Sequence, residues 1–182
     1  MNRCSWVNLN NQKYIDYHDY VWGVECHDEL LLFEYLILEM FQAGLSWETV
    51  LNKKKNFEYA FDNFNYLIIS KYDDSKIEEF MNNKNIIRNK LKIKAMINNA
   101  KVFMSIQEKY GSFDKYIWHF TNNKQIHYKR FHTNSKLSDK IANDLKNKGM
   151  KFLGSTIIYS YLEAIGVLNN HEDCCDMGGK YV

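Results

Sequence analysis

Apolar residues in this 182-residue chain recur at helical spacing almost from end to end. The pattern runs over Leu30 to Ala43, Phe57 to Phe61, Ile77 to Met81, Lys90 to Glu108, Ser138 to Lys148 and Thr156 to Ala164. Side chains three and four apart share one face of a helix, so each stretch predicts an α-helix with a core-facing side. Strand-type alternation is nowhere sustained beyond a few residues, which leaves an all-α fold as the expectation. Breaks fall at Gly44, Asn82 with Asn83, Gly111, Asn122 with Asn123, Gly149 to Gly154 and Gly166. Those residue types end helices or permit turns. Residues 1 to 28 and 166 to 182 read as loop-dominated ends. With no fixed-period repeat and no linker, residues 1–182 are expected to form one domain.

Hydrophobic types at 46% and charged types at 25% give such a chain enough apolar surface to bury a core. No apolar run approaches the roughly 20 residues of a membrane span, and MNRCSWVNLN lacks the apolar stretch of a signal peptide. A cytoplasmic protein with no membrane partner follows as the expectation. The net charge of +2 is too small to point to nucleic acid. Its distribution is more informative, because Lys84, Arg88, Lys90, Lys92, Lys94 and Lys101 occur without an acid among them, and Lys146, Lys148 and Lys151 crowd a second segment. Either run reads as a solvated helix face or as a surface for an anionic polymer.

The residues able to hold a metal lie in the two ends. Cys4 and His18 are in the first, His171 and Cys175 in the second. A pair spaced like His171 and Cys175 can aim at one ion from a single turn. Two imidazoles and two thiolates would form the closed tetrahedral set that zinc prefers in structural sites, tying the ends of the chain together without an open position for water. Cys174 is an alternative to Cys175, Cys26 lies outside the pattern, and unrelated buried cysteines with surface histidines are the bland reading. Thiols rather than disulfides are expected of a cytosolic chain.

DLKNKGMKFLGSTIIYSYLEAIG, residues 144 to 166, reads as helix, glycine-bounded turn and helix. Gly149 and Gly154 bracket the turn, and Ser155 and Thr156 stand where the next helix begins. Glycines let backbone approach a phosphate, a helix start favours an anion, and Lys148 and Lys151 flank both. The hairpin suits sequence-independent grip on a DNA backbone, or is an ordinary helical corner.

LEMFQAGLSW, residues 38 to 47, places Glu39 in a greasy helix with no basic residue between Leu30 and Asn52. A buried carboxylate needs a cation or hydrogen bonds, supplied by a distant side chain or by a ligand. Tyr14, Tyr17, Trp22 and Trp47 are flat rings within reach of such a helix, either as core or as pocket walls. Aromatic walls with one acid suit a flat, electron-poor and cationic ring such as a methylated purine. A base reaches a pocket only after leaving the duplex, and Leu45, on the turn after Gly44, is placed to fill the gap.

The segments RCSWV, YIDYHDYVWGV, LFEYLILEMFQAGLSWETVL, IIRNKLKIKAMINNAK, GSFDKYIWHF and LKNKGMKFLGSTIIYSYLEAIGVLNNH, in that order, resemble the constitutive bacterial 3-methyladenine DNA glycosylases of the helix-hairpin-helix superfamily. The resemblance spans roughly residues 3 to 175. It implies an all-helical, two-lobed fold with the helix-hairpin-helix at about 139–165. It also implies one structural zinc on Cys4, His18, His171 and Cys175, with the loops 1–28 and 166–182 stapled by that ion.

The implied reaction is excision of 3-methyladenine from alkylated double-stranded DNA by a monomeric enzyme at the nucleoid. The reaction leaves an abasic site without strand cleavage, since no lysine follows the hairpin where a lyase would need one. Glu39 and Tyr17 would carry the chemistry; Tyr14, Trp22 and Trp47 would hold the base. Gly44, Leu45, Lys148, Gly149, Lys151, Gly154, Ser155 and Thr156 would meet DNA. The hairpin departs from the family in Ser155 for proline and Met150 for phenylalanine, and residues 121 to 137 diverge most. Many superfamily members place a catalytic aspartate some 18 residues past the hairpin; by that count Asp173 is the candidate, and its loop between His171 and Cys175 argues against it. The competing expectation is a non-catalytic, zinc-containing module that senses DNA damage.

Overall fold

The computed structural model describes residues 1–127 and 132–178. Residues 128–131, inside the divergent stretch, and residues 179–182, at the end of the expected C-terminal loop, lie outside the described part.

The chain is mostly helical: α1 (Gln12–Tyr20), α2 (Glu29–Gln42), α3 (Trp47–Ala60), α4 (Tyr66–Ile69), α5 (Asp74–Asn82), α6 (Lys90–Tyr110), α7 (Phe113–Trp118), α8 (Lys136–Asn147) and α9 (Ser155–Ala164). Two short strands, β1 (Ile126–His127) and β2 (Leu168–Asn169), pair in parallel, Ile126 opposite Leu168. Among the described residues no helix is long and apolar enough to cross a membrane.

Local chemistry sets the boundaries. Asp28 caps α2 by accepting from the Leu30 and Leu31 amides, Asn89 caps α6 in the same way, and Ser135 and Ser138 form a capping box on α8. α6 ends at Gly111 in the left-handed region, φ 86°. Asp62, Asn63 and Phe64 form a left-handed turn after α3, with φ between 48° and 55°. Such a turn is unfavourable for L-residues and persists here because Phe64 is buried beside Phe61 and the Tyr72 hydroxyl donates to Asp62.

The loop-dominated N-terminal end expected from sequence needs correction, because α1 occupies its centre. α3 likewise extends well before Phe57, and α4 and α7 are short helices without a periodic signature long enough to read.

α2 is the axis of the core. Every residue from Leu32 to Phe41 is buried, and the helix packs on α3, α6, α7 and α9. One aromatic cluster joins Phe41, Phe57, Phe61 and Phe80, and a second joins Phe33, Tyr66, Phe103 and Phe113.

The segment after α1 runs close against the end of α9. Gly23 donates to the Glu163 carbonyl at 2.8 Å and Cys26 to the Ile165 carbonyl at 3.0 Å. At Gly166, φ 71°, a Cβ would stand 2.2 Å from the Val24 carbonyl carbon. Only glycine permits this contact, which sets Trp22 beside the last turns of α9.

Candidate functional site

Glu39 emerges from the buried face of α2 into a cavity of about 260 Å³, lined by Trp6, Tyr14, Tyr17, Trp22, Glu39, Gln42, Trp47, Ser160 and Glu163. All five pocket residues expected from sequence line it. Trp6, Gln42, Ser160 and Glu163 were not anticipated there. The last two stand three apart on α9, on one face. Glu163 carried a readable signal, an acid in an apolar helix, as Glu39 does.

Glu39 is 3% exposed, and its Oε2 has no hydrogen-bond partner. Among the described residues no ion pair reaches it. Burial pushes its pKa well above the ordinary carboxyl value, and the charge of Glu163 pushes the same way. Glu163, 6% exposed, is held at about 7 by burial, opposed by a hydrogen bond from Asn170 Nδ2 to its Oε1 at 2.8 Å. Tyr17 stays a phenol well above its usual range, first because it is buried and then because Glu39 is near. Trp47 begins α3, and its indole Nε1 is a buried donor without a partner. Tyr17 and Trp47 pack at 5.0 Å between ring centroids. The cavity therefore combines flat apolar walls, an unmet acceptor and an unmet donor. That combination suits a flat heteroaromatic ring with polar edges.

The turn between α2 and α3 is held from below. Lys92 Nζ, on α6, donates to the carbonyls of Phe41 at 3.0 Å and Ala43 at 2.7 Å. It thereby satisfies two orphan carbonyls at the end of α2 with a cation, where the helix dipole favours one. Lys92 is itself buried, which lowers its pKa. It is thus one of the basic residues of the Lys84 to Lys101 run that does not face solvent. Beyond it Gly44 turns with φ 85°, Leu45 is 41% exposed, and Ser46 caps α3 through the Thr49 amide.

The hairpin between α8 and α9 is clamped by α6. Asn98 Nδ2 donates to the Gly149 carbonyl at 2.8 Å, and Asn99 exchanges two hydrogen bonds with the backbone of Lys151, at 2.8 and 2.9 Å. Gly149 adopts φ 99°. Gly154 begins α9 with no side chain capping its first amides, and a Cβ there would meet nothing. Ser155 Oγ lies 2.9 Å from Ser138 Oγ, and Thr156 is exposed. Lys151 is exposed, but Lys148 pairs with Asp144 at 2.7 Å and lies over the rings of Tyr110 and Tyr116. Its ammonium is engaged within the protein.

Behind the cavity, Cys4, His18 and Cys175 bring their ligand atoms within 4.8 Å of one another. Cys175 is buried with Sγ 3.5 Å from His18 Nε2; Cys174 is exposed and interacts with Glu172, which removes it as the alternative. His171 is outside that trio, yet its Nε2 is buried without a partner and its ring lies 5.0 Å from that of His18. The Nδ1 atoms of both histidines are occupied, His18 by Asp19 and His171 by Asn169, each at 2.8 Å. Such partners fix the tautomer that leaves Nε2 as a lone pair, and Arg3 in turn grips Asp19.

Burial holds the Cys4 thiol up at about 12 and brings His171 down to about 4, so it favours the uncharged form of each of these two groups. Two sulfurs and two imidazole nitrogens fit a soft-to-borderline tetrahedral ion. The rings also join the two sites, since Trp22 packs on His171 at 4.6 Å and Trp6 on both His18 and Trp22.

Fold and cavity thus define a helical protein with an aromatic-walled cavity that holds buried carboxyl groups. The chain belongs to the methyladenine glycosylase family, whose model matches residues 6–178. It is 36% identical to the DNA-3-methyladenine glycosylase 1 of Escherichia coli (strain K12), over 99% of this chain and all of that one. It superposes with a TM-score of 0.94 on a tyrosine-to-phenylalanine variant of a 3-methyladenine DNA glycosylase I in complex with 3-methyladenine. That protein is 34% identical, with both chains fully covered. A 3-methyladenine DNA glycosylase I from Staphylococcus aureus, also 34% identical, gives 0.93 over all of this chain and 99% of that one.

Proposed function

We propose that this chain is a 3-methyladenine DNA glycosylase, a single domain that hydrolyses the bond between the alkylated base and its sugar and leaves an abasic site without strand cleavage. The observation that carries the reading is Glu39, a buried carboxylate with an unpartnered oxygen inside an aromatic cavity. A carboxylate so placed costs stability unless a ligand answers it. The lesion is a purine made cationic by methylation, so its charge and exocyclic amine meet that need while Tyr14, Tyr17, Trp22 and Trp47 surround the ring.

In the reaction the bond between base N9 and sugar C1′ breaks with its electron pair passing to the base, which leaves neutral. Water oxygen bonds to C1′ and releases a proton. The leaving group is already activated by its charge, so the protein acts chiefly by binding and orienting the extruded base. Glu39 accepts from the exocyclic amine and offsets the positive charge; Tyr17 adds a polar contact. Asp173 is exposed and does not line the cavity, which supports leaving it out of the chemistry.

The DNA backbone meets the hairpin through the uncapped amides at Gly154, Ser155 and Thr156 and through Lys151, with Gly149 giving the turn its shape. Lys148 contributes by holding Asp144 and the hairpin rather than by a free ammonium. Leu45, exposed on the turn anchored by Lys92, fills the space the base vacates. Zinc is the ion that Cys4, His18, His171 and Cys175 would hold. It would supply a structural staple between the ends of the chain, behind the wall formed by Trp6 and Trp22.

The test is release of free 3-methyladenine from methylated duplex DNA under single-turnover conditions. Wild type releases base; Glu39→Gln loses at least about 100-fold in rate, the scale of removing one preorganised charge contact, while still binding duplex. A duplex-binding protein that releases no base would instead be a damage-sensing module.

A further inference from the structure

Gln125 lies in the stretch 121 to 137, where likeness to the family is weakest, and no part in base excision falls to it. Its side chain nevertheless joins three segments. Nε2 donates to the Gly23 carbonyl at 2.9 Å and to the Gly166 carbonyl at 2.6 Å, and Oε1 accepts from Asn169 Nδ2 at 3.2 Å. Asn169, 2% exposed, faces His171 in turn: its Oδ1 lies 2.8 Å from the ring Nδ1 and accepts from the His171 amide at 3.3 Å. The pairing of β1 with β2 sets Ile126 opposite Leu168 and His127 opposite Asn169, which keeps the two amide side chains in register.

The donor and acceptor sense of this chain of bonds runs one way. A carbonyl only accepts, so the two glycine carbonyls require the Gln125 nitrogen to face them. Its oxygen is left toward Asn169, which must then turn its own nitrogen to Gln125 and its oxygen to His171. An oxygen acceptor at Nδ1 puts the ring proton there and leaves Nε2 as a lone pair. That Nε2 is buried without a partner, and the ring stands beside His18 of the Cys4, His18 and Cys175 trio. We propose that Gln125 is a positioning residue: acting through Asn169, it holds His171 in the tautomer that can ligate a metal. This rests on zinc as the ion of Cys4, His18, His171 and Cys175, and adds to that site a residue from outside both ends of the chain.

Bracing and orienting are separable roles of the one side chain. The bonds to Gly23 and Gly166 brace the turn after Trp22 against the turn after α9, and they need only the amide nitrogen. Orienting Asn169 needs only the oxygen. Without that acceptor the Asn169 amide is free to turn over and offer its nitrogen to His171. The ring proton then moves to Nε2, and the lone pair is lost from the metal side. Outer partners of metal-bound imidazoles are worth about 10–100-fold in metal affinity.

The experiment measures zinc affinity of the full chain by competition with a chromophoric chelator, with cobalt absorption reporting tetrahedral thiolate ligation. Gln125→Met, which removes donors and acceptor together, is expected to weaken zinc by about 10-fold or more. Gln125→Glu, which removes the same donors but keeps an acceptor for Asn169, should stay within about threefold of wild type. In an Asn169→Asp background either oxygen accepts from His171, so no orientation is required and Gln125→Met should cost less than about threefold. Equal losses in Gln125→Met and Gln125→Glu, no loss in Gln125→Met, or the same loss in both backgrounds would overturn the positioning role and leave Gln125 a brace. If Gln125→Met does not fold, Gln125→Glu decides: affinity within about threefold supports the assignment, and a loss of about 10-fold overturns it. A wild type that binds no zinc would remove the zinc reading and this assignment with it, leaving base excision untouched.

Discussion

Replacing Glu163 by glutamine should make the protein more stable, and the gain should depend on pH in a calculable way. The carboxyl titrates at about 7 in the folded chain against an ordinary value of 4.5, because burial disfavours its charge. A folded pKa above the unfolded one means that the folded state binds more protons between those values. Stability is then lost as pH rises from about 4.5 to 7 and stays lost above it. At one proton's worth of about 1.4 kcal/mol per unit, the cost is under about 1 kcal/mol at pH 5 and on the order of 3 kcal/mol at pH 8.

Glutamine has no charge to desolvate and still offers Asn170 an acceptor, so it removes the cost without opening a cavity. It also removes one of the causes that raise Glu39, which adds to the gain in the same direction. Urea unfolding of both proteins should therefore give nearly equal stabilities at about pH 5. At about pH 8 the variant should be ahead by on the order of 3 kcal/mol, or roughly 6–12 °C in melting temperature for a chain of this size. Equal stability at both values, or a less stable variant at the higher one, would refute the claim that burial raises the Glu163 carboxyl to about 7.

Other substitutions read other parts of the structure. Gly166→Ala should destabilise by more than about 3 kcal/mol, or fail to yield folded protein, because its Cβ collides with Val24 backbone at a residue already left-handed; denaturant unfolding measures it. Lys92→Met should cost about 1–3 kcal/mol by leaving the Phe41 and Ala43 carbonyls unsatisfied, again by unfolding. The same variant should slow base release more than it weakens duplex binding, since the turn carrying Leu45 loses its anchor; equal losses in the two would refute the anchoring role. Asp173→Asn should excise 3-methyladenine within about twofold of wild type in single-turnover assays, for its side chain is exposed and away from the cavity.

The long helices were legible because burial wrote itself into their spacing. α2, α6, α8 and α9 have apolar faces running their full length, and a left-handed glycine, Gly44, Gly111, Gly149 or Gly166, follows the end of each. α1 was not legible, since its buried residues Tyr17, His18 and Asp19 are consecutive and mostly polar, held by Trp6, Trp22 and Arg3 rather than by an apolar stripe. α3 was half legible, because Asn52 and three lysines interrupt its pattern. The cavity was readable from Glu39 because an acid among apolar neighbours demands a reason. Glu163 makes the same demand in the same kind of helix. What sequence could not supply was that α9 ends beside α2, which depends on the close approach at Gly166. His171 lies outside the Cys4, His18 and Cys175 trio and stands beside it through ring contacts and an orphan nitrogen.

The asparagine clamp on the hairpin carries a consequence for inheritance. A loop whose shape is dictated by its own residues can be copied into another scaffold, or duplicated, and keep its behaviour. The turn at Gly149 to Gly154 is instead templated by Asn98 and Asn99, some fifty residues earlier in the chain. Glycines alone are therefore not a transferable unit. A transplanted hairpin would arrive as an untethered loop unless a pair of amides on a neighbouring helix travelled with it. In this lineage the two segments are expected to drift together rather than apart.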